Sequence, residues 1–147
     1  SCQLSVVSCQ QMKITTPVQV RFSDLDMARH VHNAVYLEYF ELGRMDLLRQ
    51  FMEPDHDWVR TGLILARNEV DHRRPIHLAD PVQVLTWCGR IGDKSFDLNY
   101  QVQHAKDGSV FAEGRSVMVC FDYSIQSSIE VPADWRKALA RFMDDPS

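Results

Sequence analysis

The stretch FSDLDMARHVHNAVYLEYFELGR, residues 22–44, leads from a polar segment into a helix with one apolar face. Apolar positions and one glycine recur there at intervals of three and four, at Tyr36, Phe40, Gly43, Leu47 and Phe51. Residues at this spacing lie on one face of an α-helix, so the pattern predicts a helix of about five turns. Asn33 is a suitable N-cap for it. Gly43 on the buried face predicts a close approach to another surface.

Strands are predicted on both sides of this helix. Val18, Val20 and Phe22 alternate with polar residues, which indicates a half-buried first strand that ends near Ser23. After Pro54 the chain predicts four more strands, at residues 63–73, 81–91, 96–104 and 110–123. Residues 92–94 and 106–108 are typical of hairpin connections, the second with Gly108 placed for a positive φ. A short terminal helix is expected from Pro132 to about Met143.

This order of elements predicts an α+β fold in which an antiparallel five-stranded sheet wraps a long central helix. In the last long strand Ala112, Gly114 and Ser116 contribute to a face of mostly small residues, which suits a sheet packed against a close helix. One helix covers only one face of such a sheet and leaves its edge strands open. We therefore expect a homodimer.

Composition limits the classes of function. The chain has 147 residues, 17.0 kDa, 45% hydrophobic and 24% charged residues, which is ordinary for one globular domain. A formal charge of -4, with basic residues that occur singly or in pairs such as Arg73-Arg74, argues against a nucleic-acid partner. No apolar run approaches the ~20 residues of a membrane helix, so we expect no membrane insertion and a cytoplasmic protein.

The first residues, SCQLSVVSCQQ, differ in sequence pattern from the rest of the chain. We interpret residues 1–12 as a leader or added extension and residues 13–147 as a single domain. The four cysteines are Cys2 and Cys9 in the leader and Cys88 and Cys120 in predicted strands. Without any CxxC spacing, buried reduced thiols are expected.

Several motifs of catalysis are absent from the sequence. It contains no GxSxG, no GxxxxGK[ST], no GxGxxG after a strand and no HExxH, which removes serine hydrolase, P-loop and Rossmann enzymes. The pairs His30-x-His32 and Asp24-x-Asp26 have no third acid to complete a calcium loop. We therefore predict no metal site.

Residues 22–44 closely resemble the 4-hydroxybenzoyl-CoA thioesterase family, particularly its long-chain acyl-CoA branch, where D-x-D-x-x-G-H-V-N-N-x-x-Y-L-E-x-x-E-x-x-R is typical. Segments 75–82, 112–122 and 132–135 are similar in layout, so the resemblance covers nearly all of residues 14–143. It implies a hotdog fold and hydrolysis of acyl thioesters of coenzyme A, or of acyl carrier protein, in lipid metabolism. It also implies homodimers that can pair into tetramers, with coenzyme A present only as part of the substrate.

The resemblance implies roles for three residues. Asp26 takes the position of the catalytic carboxylate, as nucleophile or as general base on water. The backbone N–H of Asn33, at the start of the helix, is placed to polarise the thioester carbonyl, which agrees with the positive end of a helix dipole. His30 either orients the water or shapes the loop.

Each nearby polar residue also has a purely structural interpretation. Asp26 can make hydrogen bonds within its loop, as Asp often does before a helix. Asp24 is expected to be structural, Tyr36 to belong to the core and His32 to be exposed. Glu38 is a weaker candidate carboxylate, because other hotdog branches place theirs on this helix.

The sequence departs from the family pattern at Arg29, where glycine is usual. A positive φ there would strain an arginine, and its side chain would crowd or charge the acyl entrance. For coenzyme A, Arg73, Arg74 and Lys94 are candidate phosphate ligands, either within one chain or across to the neighbouring subunit.

Two other functions stay open. A hotdog hydratase or dehydratase would use an Asp and His pair such as Asp26 and His30, but its usual motifs are absent. A hotdog dimer that binds acyl groups without catalysis would need no carboxylate beside the thioester.

Overall fold

A computed structural model describes residues 12–143 of the chain, and residues 1–11, with Cys2 and Cys9, lie outside it. The elements confirm the predicted order of strand, long helix, strands and short helix. They are β1 (Ile14–Val18), a 3-10 helix (Phe22–Asp24), α1 (Val35–Arg49), β2 (Gly62–His72), β3 (Val82–Ile91), β4 (Ser95–His104), β5 (Val110–Asp122), β6 (Ser127–Ser128) and α2 (Ala133–Ala140).

The first strand was predicted too far along the chain. β1 ends at Val18, because its partner β3 begins at Val82 and the two residues are aligned at the end of the ladder. Val20 remains buried, but Phe22 is 82% exposed and opens the 3-10 helix. The Asp24 carboxylate accepts the backbone N–H of Arg21 at 2.9 Å. This local bond draws the chain out of the extended conformation that the alternation indicated.

Helix α1 confirms the predicted periodicity but differs at both ends. Tyr36, Phe40 and Leu47 are buried, at most 2% exposed. The helix ends at Arg49, two residues before Phe51, so that Phe51 lies in the turn beyond it. The assignment of Asn33 as N-cap was wrong, because the N-cap is Ala34.

The sheet is antiparallel throughout, in the order β1-β3-β4-β5-β2, and β6 adds a short sixth strand beside β5. The hairpins at residues 92–94 and 106–108 are confirmed, and Gly108 has φ +75°. β1 and β2 lie at opposite edges of the main sheet, so the chain crosses one face between them as helix α1. Register shifts in β2 and β3 mark bulges, which increase the bend of a sheet.

The core lies between α1 and the covered face of the sheet. From β4, Phe96, Leu98, Tyr100 and Val102 all point into it and are fully or almost fully buried. Phe40 of the helix stacks on Tyr100, with ring centroids 4.4 Å apart and planes 4° from parallel. Gly114 of β5 lies directly against the Phe40 ring, which confirms the prediction that the small-residue face packs against a close helix.

Gly43 also confirms its prediction. A Cβ there would overlap Thr86 Oγ1 and lie 3.1 Å from Val84 Cγ1, both on β3. Cys88 and Cys120 are free, buried thiols, as expected for these two, and burial raises the pKa of Cys88 to about 12. Among the residues described, no helix has the length and apolar character needed to cross a bilayer.

The close contact at Gly43 predicts that alanine at this position destabilises the protein, although alanine favours a helix more than glycine does. Alanine in place of glycine normally stabilises a helix interior by about 1 kcal/mol. Here we expect Gly43→Ala to lower the free energy of unfolding by about 2 kcal/mol, because the added methyl overpacks the contact with Thr86. Urea unfolding measures this change, with Glu41→Ala on the exposed side of α1 as control, expected within about 0.5 kcal/mol of wild type. An increase in stability for Gly43→Ala would contradict the predicted contact.

Candidate active site

The loop before α1 is folded by its own backbone. Leu25 and Val31 form an antiparallel bridge, and Asp26 N–H donates to the His30 carbonyl at 2.8 Å. Arg29 N–H donates to the Asp26 carbonyl at 3.0 Å and closes the turn. Arg29 has φ +64°, so the position does require the left-handed conformation, and an arginine occupies it at a cost of about 1–2 kcal/mol.

Asp24 anchors this loop to the helix. Its carboxylate is 1% exposed and accepts hydrogen bonds from the Arg21 guanidinium and from Tyr39 Oη at 3.1 Å. Burial alone would raise the pKa of Asp24, but these donors and the Arg21 backbone N–H hold that pKa below its ordinary value. Burial and the same carboxylate raise the pKa of Tyr39. The structural role predicted for Asp24 follows from these contacts.

Among residues 12–143, only one oxygen of the Asp26 carboxylate accepts hydrogen bonds. Oδ1 accepts the backbone N–H groups of Ala28 at 2.9 Å and His30 at 3.2 Å. The loop bonds of the structural interpretation therefore exist, and they also restrict the orientation of the carboxylate. Within residues 12–143 nothing donates to Oδ2, and the side chain is exposed.

The start of the helix is organised by His32. Its carbonyl accepts the Val35 N–H at 2.9 Å, and its ring Nδ1 accepts the Ala34 N–H at 3.1 Å. His32 is exposed, as predicted, and its ring accepts the backbone N–H of Ala34, the N-cap residue. In the described part of the chain, the Asn33 N–H has no acceptor.

Most of the predicted site residues meet in one pocket of about 230 Å³. Its lining includes Asp26, His30, Asn33, Arg73 and Arg74. The loop and the start of α1 supply the first three, and the chain leaving β2 supplies the two arginines. The structure thus brings together residues that are some forty positions apart in the sequence.

A second and larger pocket, of about 670 Å³, also contains Asp26. Phe22, Leu25, Leu78 and Ala79 give it a mostly apolar lining. Its remaining polar residues are Arg29 and His77. Asp26 is the one residue that lines both pockets, so it lies where they meet.

The two arginines differ in their contacts. Arg73 forms an ion pair with Glu113 at 3.1 Å. Arg74 donates to the neutral hydroxyl of Ser109, and its guanidinium lies 4.3 Å from the centroid of the Phe111 ring. Among residues 12–143 Arg74 therefore forms no ion pair, although its charge acts on the nearby Asp107 carboxylate. The charge of Arg73 is compensated in part by Glu113.

Lys94 does not join the arginines in the same chain. It lies in the β3–β4 hairpin, next to Ser95, which is aligned with Val119 of β5. The arginines follow His72, which is aligned with Ala112 at the opposite end of the same strands. The two levels are about 25 Å apart along the sheet.

Other candidates are placed as follows. Tyr36 is core, as predicted, and its ring meets that of His72 edge to face at 4.6 Å. Glu38 is exposed, 3.6 Å from Arg21, and lines neither pocket.

His77 was not predicted as a site residue. Its ring contacts that of His30 at 5.0 Å between centroids, a contact across 47 residues that no local pattern signals.

Two further properties limit the chemistry. Residues 12–143 contain no group of three or more His, Cys, Asp or Glu side chains that could hold a metal ion. Asp26 is the only carboxylate that lines either pocket. The arrangement therefore offers one carboxylate beside a free backbone donor and two cations, which suits attack on a carbonyl in an anionic substrate.

The contacts of Asp24 predict a pH-dependent stability. Its folded-state pKa lies below the unfolded value of about 3.9, so the ionised form stabilises the fold above that pH, and the contribution is lost as pH falls through the folded-state pKa. We expect Asp24→Asn to lower the free energy of unfolding by roughly 2–3 kcal/mol at pH 7. As pH falls from about 4 through the folded-state pKa of Asp24, the difference in the free energy of unfolding between the two proteins should shrink and then disappear. Urea unfolding at several pH values tests this, with the exposed Asp55→Asn as control, and a constant difference across pH would refute it.

Comparison with known proteins agrees with this geometry. The family model of the thioesterase-like superfamily matches residues 20–139. The long-chain acyl-CoA thioesterase FadM of Escherichia coli (strain K12) is 26% identical over 131 residues, which cover 87% of this chain and 98% of FadM.

Two solved structures are also similar. A thioesterase from Thermus thermophilus, complexed with coenzyme A and Zn, is 33% identical, with a TM-score of 0.76 and coverage of 87% of this chain and 92% of that one. A predicted thioesterase from Bacillus stearothermophilus is 29% identical, with a TM-score of 0.83 and coverage of 92% and 100%. The chain therefore belongs to the thioesterase-like superfamily and is a thioesterase with the hotdog fold.

Proposed function

We propose that this protein hydrolyses acyl-CoA thioesters to the free acid and coenzyme A, with Asp26 as the catalytic carboxylate. The observation that carries the proposal is the shared pocket of Asp26, His30, Asn33, Arg73 and Arg74. It combines an acid, a free backbone donor and two cations on one concave surface. Long-chain acyl-CoA is the substrate that the name of FadM gives for that relative.

Asp26 supplies the attack on the thioester carbonyl. With Oδ1 held by two backbone N–H groups, Oδ2 is free either to attack the carbonyl carbon directly or to take a proton from a water that does so. In the first route the thiol leaves as an acyl–Asp26 anhydride forms, and water then hydrolyses this anhydride; in the second the attacking water displaces the thiol directly. Both routes end with the free thiol and the free acid. His30 donates its backbone N–H to the carboxylate, so it also fixes the orientation of Asp26.

The Asn33 N–H stabilises the negative charge that develops on the carbonyl oxygen. It lies at the start of α1, where the dipole of the helix is positive, and it has no acceptor among the residues described. A single donor of this kind is typically worth about 3 kcal/mol of the barrier. Because the donor is a backbone group, substitution of the Asn33 side chain alone does not remove it.

The arginines bind the phosphates of coenzyme A. Arg74 is the stronger candidate, since its contacts with Ser109 and Phe111 hold the guanidinium and it forms no ion pair among residues 12–143. Acyl carrier protein is an alternative carrier and presents a phosphate as well. Charge at this pocket therefore favours either carrier over a simple thioester.

We also propose that the reaction takes place in the cytoplasm.

We further propose that the enzyme acts as a homodimer, which can pair into tetramers. Asp26 is exposed in the single chain, and the neighbouring Phe22 and Met27 side chains are almost entirely exposed. Such apolar exposure beside a reacting centre favours cover by another subunit, which also excludes water. β2 is a main-sheet edge of 11 residues and offers unpaired backbone groups to a second copy. A partner subunit is also the way for Lys94 to reach this pocket.

Loss of the Asp26 carboxylate is expected to abolish turnover. Thiol release from a panel of acyl-CoAs of varied chain length and one aromatic acyl-CoA should fall on the order of 10²–10⁴-fold in kcat for Asp26→Asn. The panel also identifies the preferred acyl group.

Glu38→Gln is the matched control, because Glu38 is an exposed carboxylate on α1 outside both pockets. Its turnover should stay near that of wild type. Unchanged turnover in a folded Asp26→Asn protein would remove Asp26 from the mechanism. Binding of acyl-CoA without hydrolysis by wild type would instead favour a non-catalytic acyl-binding protein, and addition of water to an enoyl-CoA would favour a hydratase.

The phosphate contacts predict a change in KM. We expect Arg74→Gln to raise KM for an acyl-CoA about tenfold with little change in kcat, and Arg73→Gln to act more weakly because of its pairing with Glu113. The corresponding acyl-pantetheine, which lacks the nucleotide phosphates, should show no such rise. Equal effects on both substrates would contradict phosphate binding. A rise in KM for Lys94→Gln would show that a neighbouring subunit supplies that lysine, and no change would restrict the contacts to the arginines.

A further inference from the structure

The geometry points to Arg29 as a specificity residue: we propose that it binds a carboxylate at the far end of the acyl group, so that the enzyme prefers ω-carboxyacyl thioesters to plain aliphatic ones of equal length. This inference rests on the proposed hydrolysis of acyl-CoA at Asp26. It concerns the pocket of about 670 Å³ that adjoins Asp26 on the side away from the arginine pair.

The two pockets differ in chemistry, and this assigns the two halves of the substrate. The smaller pocket holds Arg73 and Arg74 and therefore suits the phosphates of coenzyme A. The larger pocket has Phe22, Leu25 and Leu78 in its wall and suits the methylene chain of an acyl group. Asp26 lies where they meet, so a thioester with its carbonyl at Asp26 can place the acyl group in the pocket of about 670 Å³.

Arg29 is the permanent cation of this apolar pocket. In the described residues its side chain has no hydrogen bond, ion pair or ring contact, although it belongs to the same turn as Asp26. The two side chains therefore do not neutralise each other, and each is available to a different part of the substrate. A guanidinium presents paired N–H groups that match a carboxylate in a two-point hydrogen bond.

The other anions of the reaction have other partners. The phosphates of coenzyme A face Arg73 and Arg74, and the carbonyl oxygen faces the Asn33 N–H, both in the smaller pocket, which Arg29 does not line. The backbone conformation adds a second observation. With φ +64°, position 29 would be relaxed by glycine, yet it carries a long cationic side chain. Neighbouring His77, whose Nδ1 lies 3.6 Å from Asp80, is already near a carboxylate.

The test compares adipoyl-CoA with hexanoyl-CoA, which have equal chain length and differ in the terminal carboxylate. For wild type, Arg29→Gln and Arg29→Lys, the ratio of kcat/KM for adipoyl-CoA to that for hexanoyl-CoA is measured. Arg29→Gln removes the charge and leaves a polar but shorter side chain, and Arg29→Lys keeps the charge. We expect the ratio to fall about tenfold in Arg29→Gln and by no more than about threefold in Arg29→Lys. Raising the salt concentration should lower the wild-type ratio and leave that of Arg29→Gln unchanged.

Each other outcome overturns the proposal. An unchanged ratio in Arg29→Gln, with both substrates still hydrolysed, would show that Arg29 does not read the acyl terminus. An equal fall for both substrates would assign Arg29 to the coenzyme A half or to the carbonyl oxygen. If neither substrate is hydrolysed, calorimetric Kd values for the same two ligands decide about Arg29 separately, and the proposed function fails only if the whole acyl-CoA panel is inert as well. Equal Kd ratios in wild type and Arg29→Gln would then reject it.

Discussion

Helix α1 contacts the sheet through Gly43, a residue without a side chain. Thr86 and Val84 of β3 occupy the space that a Cβ would take, so the helix axis lies as close to the sheet as backbone packing permits. Phe40 fills the neighbouring space between Gly114 and the Tyr100 ring. Since protein interiors are close-packed and yield little, this contact determines where the N-terminus of the helix lies. The backbone donor at Asn33 depends on that position.

A second constraint connects the loop to the same helix. The buried carboxylate of Asp24 takes donors from Arg21 before it and from Tyr39 one turn into α1. Removing a charge from water is costly unless hydrogen bonds replace the lost hydration, and these donors do so. The loop therefore cannot shift without leaving that charge unpaired. Asp26, two residues later, is positioned relative to the helix start by the same bonds that stabilise the fold.

The site combines two surfaces of opposite character at one residue. Cationic side chains that follow β2 line one pocket at Asp26, and apolar side chains from the loop and from residues 78–79 line the other. A thioester of coenzyme A has the same division, with a polyanionic carrier, a reactive carbonyl and an apolar acyl chain. This correspondence explains how one small domain can bind a large amphiphilic substrate around a single carboxylate. The role that we propose for Arg29 in substrate choice depends on the same division, because its charge lies on the apolar side.

Repeating and local features of this protein followed from the sequence. The periods of α1 and β4, the glycine at the β4–β5 turn and the close approach at Gly43 each depend on neighbouring residues, because helices and strands repeat their side-chain directions every few positions. The motif at residues 22–44 likewise indicated Asp26 and the helix start. The alternation of apolar and polar residues up to Phe22 predicted a first strand that was too long. Val18 is the last residue that β3 pairs, and the sequence near Phe22 does not indicate where β3 begins.

Tertiary structure alone decided which distant residues share the site. Arg73 and Arg74 reach Asp26 because β2 ends beside the loop, while Lys94, also basic and also in a connection, lies at the opposite end of the strands. His77 meets His30 through the course of the chain before β3, and no spacing in the sequence marks it. The N-cap lies at Ala34 and not at Asn33 for a similar reason, because the preceding loop sets the backbone direction there. Contacts between residues far apart depend on strand register and packing, which a periodic pattern does not contain.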